Sequence, residues 1–272
     1  MKVLIYMGGL GNQIFCYAFT QYMRKKYPFS RIFGIYNKKK LNEHYGLEIN
    51  KWFNVKLPPQ RWYATLLTFF LYIAKKATGW KGLLDTNQKE ITNEKSVVLF
   101  ALKMDKRYIP QGEWLKFDFS DKQLGNKNLD VLKQIENCNS VFVHVRRGDY
   151  LSPEYSKRFE GCCPLDYYNK AIEIVKCKTP NPVFFVFSDD MSWCRNNLNV
   201  DKPICVDWNR GNQSPIDMYL MSNCKAAIIA NSTFSYWGAR LGINKNIVIY
   251  PERWINPPEK VGDIFPDKWI KI

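Results

Sequence analysis

Residues 141–150 read VFVHVRRGDY. An apolar, β-branched run interrupted only by His144 is the pattern of a buried parallel strand, so Arg146 and Arg147 stand as two fixed cations where that strand ends. In open α/β sheets ligands bind just outside the carboxyl ends of strands, and the planar guanidinium fork suits bidentate contact with phosphate or carboxylate. The simpler alternative pairs one arginine with Asp149 and leaves the other in water. Two more strand ends carry polar groups. The run VFFVF at 183–187 leads into Ser188, Asp189 and Asp190, and the strand at 226–230 leads into Asn231, Ser232 and Thr233, which open the helical stretch FSYWGARLG from Phe234. Each could be a helix cap. Taken together at one sheet edge, the hydroxyls and backbone donors at the start of the 233–241 helix suit a phosphate, and the arginines suit the same diphosphate. His144 and Asp217 could read a base edge, against the alternative of a satisfied core histidine.

A second polar turn, GGLGNQ at residues 8–13, follows the strand-like Lys2–Tyr6 and opens a helical run. Gly9 and Gly11 let a ligand approach the backbone closely, while Asn12 and Gln13 offer amide hydrogen bonds in both directions. The turn is not a dinucleotide fingerprint: Ile14 occupies the third glycine position, and no acid stands near residues 30–36 to hold a ribose. No metal site is expected, since the only acidic doublet in a near-suitable setting is Asp189-Asp190 and no CxxC pair is present.

The elements that must position these groups follow from pattern and composition. With 272 residues, 46% of them hydrophobic, the chain can bury one large core or two ordinary ones. Strand, turn, helix and strand succeed one another from Lys2 to Ile35. Residues 52–128 read as irregular, lysine-rich and aromatic. From Val141 onward, strands at 141–145, 183–187, 226–230 and 246–250 alternate with helices over 164–176, 191–198, 214–223 and 233–241, which implies a parallel sheet covered on both faces. Two α/β domains are expected, 1–135 and 136–272, with a cleft between them. The net charge of +15 favours an anionic partner. A basic nucleic-acid-binding protein is the alternative class, disfavoured because the lysines are scattered and no nucleic-acid-binding motif is present. Eight cysteines without metal-ligand spacing, and only His44 and His144 as histidines, point to reduced thiols. The N-terminal apolar run is too short for a signal peptide, so a cytoplasmic location is expected. The 13-residue stretch WYATLLTFFLYIA at 62–74 falls short of the ~20 needed to span a bilayer. It is expected as a buried core helix, with shallow contact to an anionic membrane through Arg61, Lys75 and Lys76 as the second reading.

The set GGLGNQ, HVRRGDY, FSDD and NSTFSYWGA, in that order, resembles the α-1,2-fucosyltransferases of glycosyltransferase family 11. The chain departs from the family's usual pattern at Ile14-Phe15-Cys16 and at Tyr236. The resemblance implies a GT-B fold of two facing Rossmann-like domains, GDP-fucose as donor, inversion at the anomeric carbon, no metal and no cofactor. The acceptor would be a galactose-terminated or lipid-linked glycan, met by residues 52–128. Carried over by position, Arg146 would hold the β-phosphate, His144 and Asp217 would contact guanine, Ser232 and Thr233 would bind the diphosphate beside Phe234, and Asn12 would sit near the transferred sugar. Ser188, Asp189, Gly9, Gly11 and Gln13 would complete donor binding. Departure of the diphosphate without a metal requires fixed cations, which is the role this reading gives Arg146 and Arg147, with Asp149 as orienting group or proton acceptor. Another GDP-sugar or another acceptor position is the alternative.

Overall fold

The computed structural model describes residues 1–36, 39, 41, 45–80, 82–257 and 262–272; His44 lies outside the described residues. The chain forms two compact units, Met1–Asp118 with Lys260–Ile264, and Phe119–Glu259 with Phe265–Ile272. Each is an α/β unit built on its own parallel sheet flanked by helices, the GT-B-like class expected from the sequence.

In the first unit strands β1 (Lys2–Tyr6), β2 (Ile32–Tyr36), β3 (Leu84–Asp85) and β4 (Val98–Phe100) assemble in the order β2-β1-β4-β3, all parallel. All five residues of β1 are buried, as the continuous apolar run requires. The crossover helix Leu10–Lys26 buries Ile14, Phe15, Ala18, Phe19 and Met23 and carries Arg24, Lys25 and Lys26 in its last turn, where cations complement the helix dipole. Helix Trp62–Thr78 ends at Gly79, whose φ of 72° closes the last turn in the left-handed region that glycine adopts freely. Its buried residues are Ala64, Thr68 and Leu71 only. The expected buried core helix is therefore a surface helix, because a single face rests against the sheet. Residues 52–128 also supply β3 and β4, which the sequence reading missed: strands of two and three residues are too short to show a period.

The turn after β3 is pinned from inside. Lys103 is 1% exposed and Asp85 2%. Lys103 Nζ donates to Asp85 Oδ1 at 3.1 Å, to the Glu90 carbonyl at 2.9 Å and to the Asn87 carbonyl, while Asp85 Oδ2 accepts from Thr92 N at 2.7 Å. Every charge is matched, which is the condition for tolerating an ion pair away from water.

The second unit orders its strands β10-β9-β8-β5-β6-β7, all parallel: β5 (Asn139–Val145), β6 (Pro182–Ser188), β7 (Ile204–Val206), β8 (Ala226–Ile228), β9 (Ile247–Tyr250) and β10 (Ile270–Lys271). Val141, Val143 and Val145 share one face of β5 and pack with Phe184, Val186, Ile228 and Ile249 against Tyr168, Ile172 and Val175 of helix Leu165–Lys178. Helix Asn126–Glu136, placed by the expected boundary at 135 with the first half, belongs to this unit. It packs on helix Ser214–Asn223, and Asn128 Nδ2 donates to Asn209 Oδ1 at 3.0 Å. Helix Ser214–Asn223 meets helix Thr233–Arg240 so closely that a Cβ on Gly238 would lie 2.9 Å from Met221 Cβ and Sδ. Buried Lys245 closes the end of Ser214–Asn223 by donating to the carbonyls of Met221, Ser222 and Cys224 at 3.0, 3.0 and 2.6 Å. All eight cysteines are free thiols.

Lys103→Met removes the cation and leaves the Asp85 carboxylate buried with only neutral donors, the backbone N–H groups of Asn87 and Thr92 and the Thr92 hydroxyl. The expected loss is about 3–5 kcal/mol in urea unfolding. An Asp85→Asn, Lys103→Met double variant should recover most of it, and a loss below ~1 kcal/mol in the single variant would refute the account of this pair.

Candidate functional site

The carboxyl ends of β5 and β6 lie side by side, with His144 opposite Phe187 and Val145 opposite Ser188 in register. The next residues form a charged cluster. Arg146 Nε lies 2.9 Å from Asp149 Oδ1, out of line for a hydrogen bond, and its Nη1 lies 3.2 Å from Asp189 Oδ2. The other Asp189 oxygen accepts the Arg147 backbone N–H at 2.9 Å. Arg147 Nε donates to Asp190 Oδ2 at 3.2 Å, and its guanidinium covers the ring of Trp193 at 4.3 Å. Gly148 makes room for this: a Cβ there would sit 2.9 Å from Asp189 Oδ2. Neither arginine faces water alone. Asp190 is in addition a helix cap, its Oδ1 accepting from Trp193 N at 3.0 Å, and Ser188 Oγ accepts from Asp190 N at 2.9 Å. The capping alternative thus describes Asp190 but not Asp189.

The exit of β8 is tied to the same cluster. Tyr150 Oη donates to the Asn231 carbonyl at 3.1 Å, and the Tyr150 ring stacks on Phe159 at 3.8 Å between centroids. Ser232 caps helix Thr233–Arg240, its Oγ accepting from Phe234 N at 3.3 Å, and the Phe234 ring lies 5.9 Å from that of His144. His144 is 6% exposed and its Nδ1 has no hydrogen-bond partner. Burial, and then the charge of Arg146, push its pKa down to about 3, so the ring is neutral at physiological pH. The ring is therefore not a satisfied core histidine: its Nδ1 stays without a partner beside a cationic strand end.

Asp217, in the first turn of helix Ser214–Asn223, accepts from Asn209 Nδ2 at 2.7 Å through Oδ1. Asn209 is in turn held by Asn128 Oδ1 at 2.9 Å, which also accepts from Trp208 Nε1 at 2.9 Å. Burial pushes the Asp217 carboxyl up to about 7 against the lowering effect of Asn209. Trp193 and Asn209 have no place in the sequence reading, and Tyr150 enters it only as the last residue of HVRRGDY, without a role. An aromatic three residues after an aspartate signals nothing by itself, and the Asn128–Asn209 pairing joins residues far apart in the chain.

In the first unit, Gly8 turns the chain with φ of 80°, and a Cβ there would lie 2.4 Å from Asn12 Nδ2. Gln13 does not face a ligand. It is fully buried, with Nε2 donating to the carbonyls of Gly8 and Gly46 at 2.9 and 2.8 Å and Oε1 accepting from Glu48 N and Ile49 N at 2.8 and 3.1 Å. Its amide is saturated, so the expected donor contact is corrected to a structural role that fixes the turn. Gly9 is the N-cap of helix Leu10–Lys26, and Gly11 is buried within it. Asn12 is half-buried and makes no side-chain hydrogen bond among the described residues. Glu48, 3% exposed, was missed. Its carboxyl leaves Oε1 without a partner and is pushed up to about 7 by burial.

Among the described residues no group of three or more His, Cys, Asp or Glu could hold a metal ion. The chain spans about half the length of the curated relatives it matches. It is 43% identical over 154 residues to an α-1,2-colitosyltransferase of Escherichia coli, covering 54% of this chain and 53% of the relative. It is 39% identical over 149 residues to the O-antigen biosynthesis glycosyltransferase WbnK of Escherichia coli, covering 53% and 49%. A galactoside α-(1,2)-fucosyltransferase 2 of Bos taurus is 32% identical over 138 residues, covering 48% and 40%. Among solved structures, a family 9 glycosyl transferase from Veillonella parvula shares the fold, with a TM-score of 0.50 at 14% identity over 99% of this chain and 84% of that one. Residues 106–272, which contain the whole strand-end cluster, match Glycosyl transferase family 11, and the chain belongs to that family.

Proposed function

We propose that the protein transfers a sugar from a GDP-sugar to a glycan acceptor without a metal, and that the sugar is L-fucose, placed with inversion on O2 of a terminal galactose. The observation that carries this reading is the pair of arginines held at the ends of β5 and β6 beside the cap of helix Thr233–Arg240. Bond breaking at the anomeric carbon leaves positive charge on the sugar and negative charge on the diphosphate. Donors already aimed at the departing oxygens stabilise that charge without reorganising. Asp189 and Asp149 hold the Arg146 fork in place, and Ser232, Thr233 and the N–H groups of their helix add donors for the same phosphates. Asp189 and Asp190 spend their oxygens on the arginines and on a helix end, which supports cations supplied by the chain rather than by a metal. Neutral His144 and the carboxylate of Asp217 suit the hydrogen-bonding edge of guanine. In the first unit Asn12 keeps a free amide and is the candidate sugar contact. Relatives named for colitose and for fucose are both similar to this chain, so a panel of GDP-sugars and galactosides, with product linkage read by NMR, tests the sugar and the position; transfer only from another GDP-sugar would replace fucose.

Arg146→Lys keeps the charge and loses the fork. kcat at saturating donor should fall by roughly 10²–10³ with an unchanged melting curve. Activity within about fivefold of the parent would return Arg146 to an ordinary ion pair of ~1 kcal/mol.

Transfer should persist in excess EDTA; a tenfold or greater loss, by about 1.4 kcal/mol, restored by Mn²⁺ would make Asp189 and Asp190 ligands instead.

If guanine donates to Asp217, binding favours its ionised form. With the carboxyl raised to about 7, GDP affinity should climb as pH rises from acid through neutral. Asp217→Asn should flatten that climb by roughly tenfold across the range, and Asp217→Ala should weaken GDP by about 1–3 kcal/mol. Calorimetric titration of GDP at several pH values checks both, and equal profiles for parent and Asp217→Asn would remove Asp217 from the site.

A further inference from the structure

Helix Trp62–Thr78 has two apolar faces. Ala64, Thr68 and Leu71, with the partly buried Leu67, rest on the first sheet, where Tyr63 meets Phe33 edge-on at 5.4 Å. On the opposite side Trp62, Leu66, Phe69, Phe70 and Ile73 fall at helical spacing on one stripe. Trp62 is 73% exposed, Phe69 58% and Phe70 62%, and no described residue covers them. Single exposed apolar residues are ordinary, but a continuous aromatic and aliphatic stripe marks an interaction surface.

Charge selects the occupant. Residues 61–84 contain Arg61, Lys75, Lys76 and Lys81 and no Asp or Glu. Phe69, Tyr72, Ile73, Lys75 and Lys76 line a shallow, mostly apolar groove of about 430 Å³ that includes two cations. A second copy of this chain would bring the same cations against one another with nothing to neutralise them. An anionic lipid surface supplies what both parts need: acyl chains for the stripe, and phosphate headgroups for the lysines and for the polar tips of Trp62 and Tyr72. No helix among the described residues is long and apolar enough to cross a membrane. We infer that helix Trp62–Thr78 is a membrane-docking element, lying in the interface of an anionic bilayer with its outer face sunk ~5–10 Å among the headgroups. Docking of this kind is independent of which sugar the protein transfers.

The full chain should sediment with vesicles of phosphatidylcholine and phosphatidylglycerol and not with phosphatidylcholine alone. Phe69→Ser with Phe70→Ser should lower the partition coefficient at least tenfold. Lys75→Gln with Lys76→Gln should lower it by about thirtyfold, or ~2 kcal/mol at ~1 kcal/mol per cation near the surface. Both variants should keep the parent melting temperature and GDP affinity, which confirms that they fold. Unchanged partition in either variant would overturn the inference. So would failure of the parent to bind anionic vesicles, whether the chain is then monomeric or forms a dimer by light scattering that the Phe69, Phe70 variant dissolves, in which case the stripe serves a second copy.

Discussion

One carboxylate organises the edge of the second sheet. Asp189 takes the Arg147 backbone N–H on one oxygen and faces the Arg146 guanidinium with the other, so a single side chain at the end of β6 sets both the path of the chain leaving β5 and the direction of its first cation. The glycine of the RRGD sequence is what lets it come so near. Two arginines and three aspartates then share a confined space. Each arginine side chain is still about one-third exposed, and the carboxylates that match the guanidinium groups also hold them in one orientation.

The first unit applies the same device with neutral groups. The turn after β1 is held by the Gln13 amide, which reaches the carbonyl of Gly8 on one side and the 46–49 segment on the other. The Gln13 amide is fully satisfied, so the tolerance of this turn to substitution is set by hydrogen bonds rather than by volume.

The second unit was the more legible in the sequence because its central strands, β5 and β6, run to seven residues and end on residues with sharply different chemistry. The hairpin-free alternation of strand and helix left one sheet type open. In the first unit β3 and β4 hide among lysines and turns, and only the pairing of β4 with β1 and of β3 with β4 makes them strands. At the site, Arg146, Asp189 and Ser232 announced themselves by their positions at strand ends. Gln13 misled because an amide after a glycine turn looks the same whether it turns inward or outward; its direction is decided by residues 46–49, distant in sequence. Helix Trp62–Thr78 was misjudged for a related reason: apolar content fixes what a face prefers to touch, not whether the chain itself provides it.

Both sheets are wholly parallel, and that governs how the chain can fold. Even consecutive strands pair only across a crossover, Lys2 with Ile32 and Val141 with Phe184, and the other neighbours lie farther along the chain, Val3 with Val98 and Val141 with Ala226. Each pairing must close a long loop before it returns any energy, which places the protein among high-contact-order, slow-folding chains. β1 is apolar on both faces, and while it has only β2 beside it during synthesis its other edge stays open. The interval before β4 arrives is therefore the period of greatest exposure to misassembly, and slower, cooler expression should raise the yield of native chain more than any change at the surface.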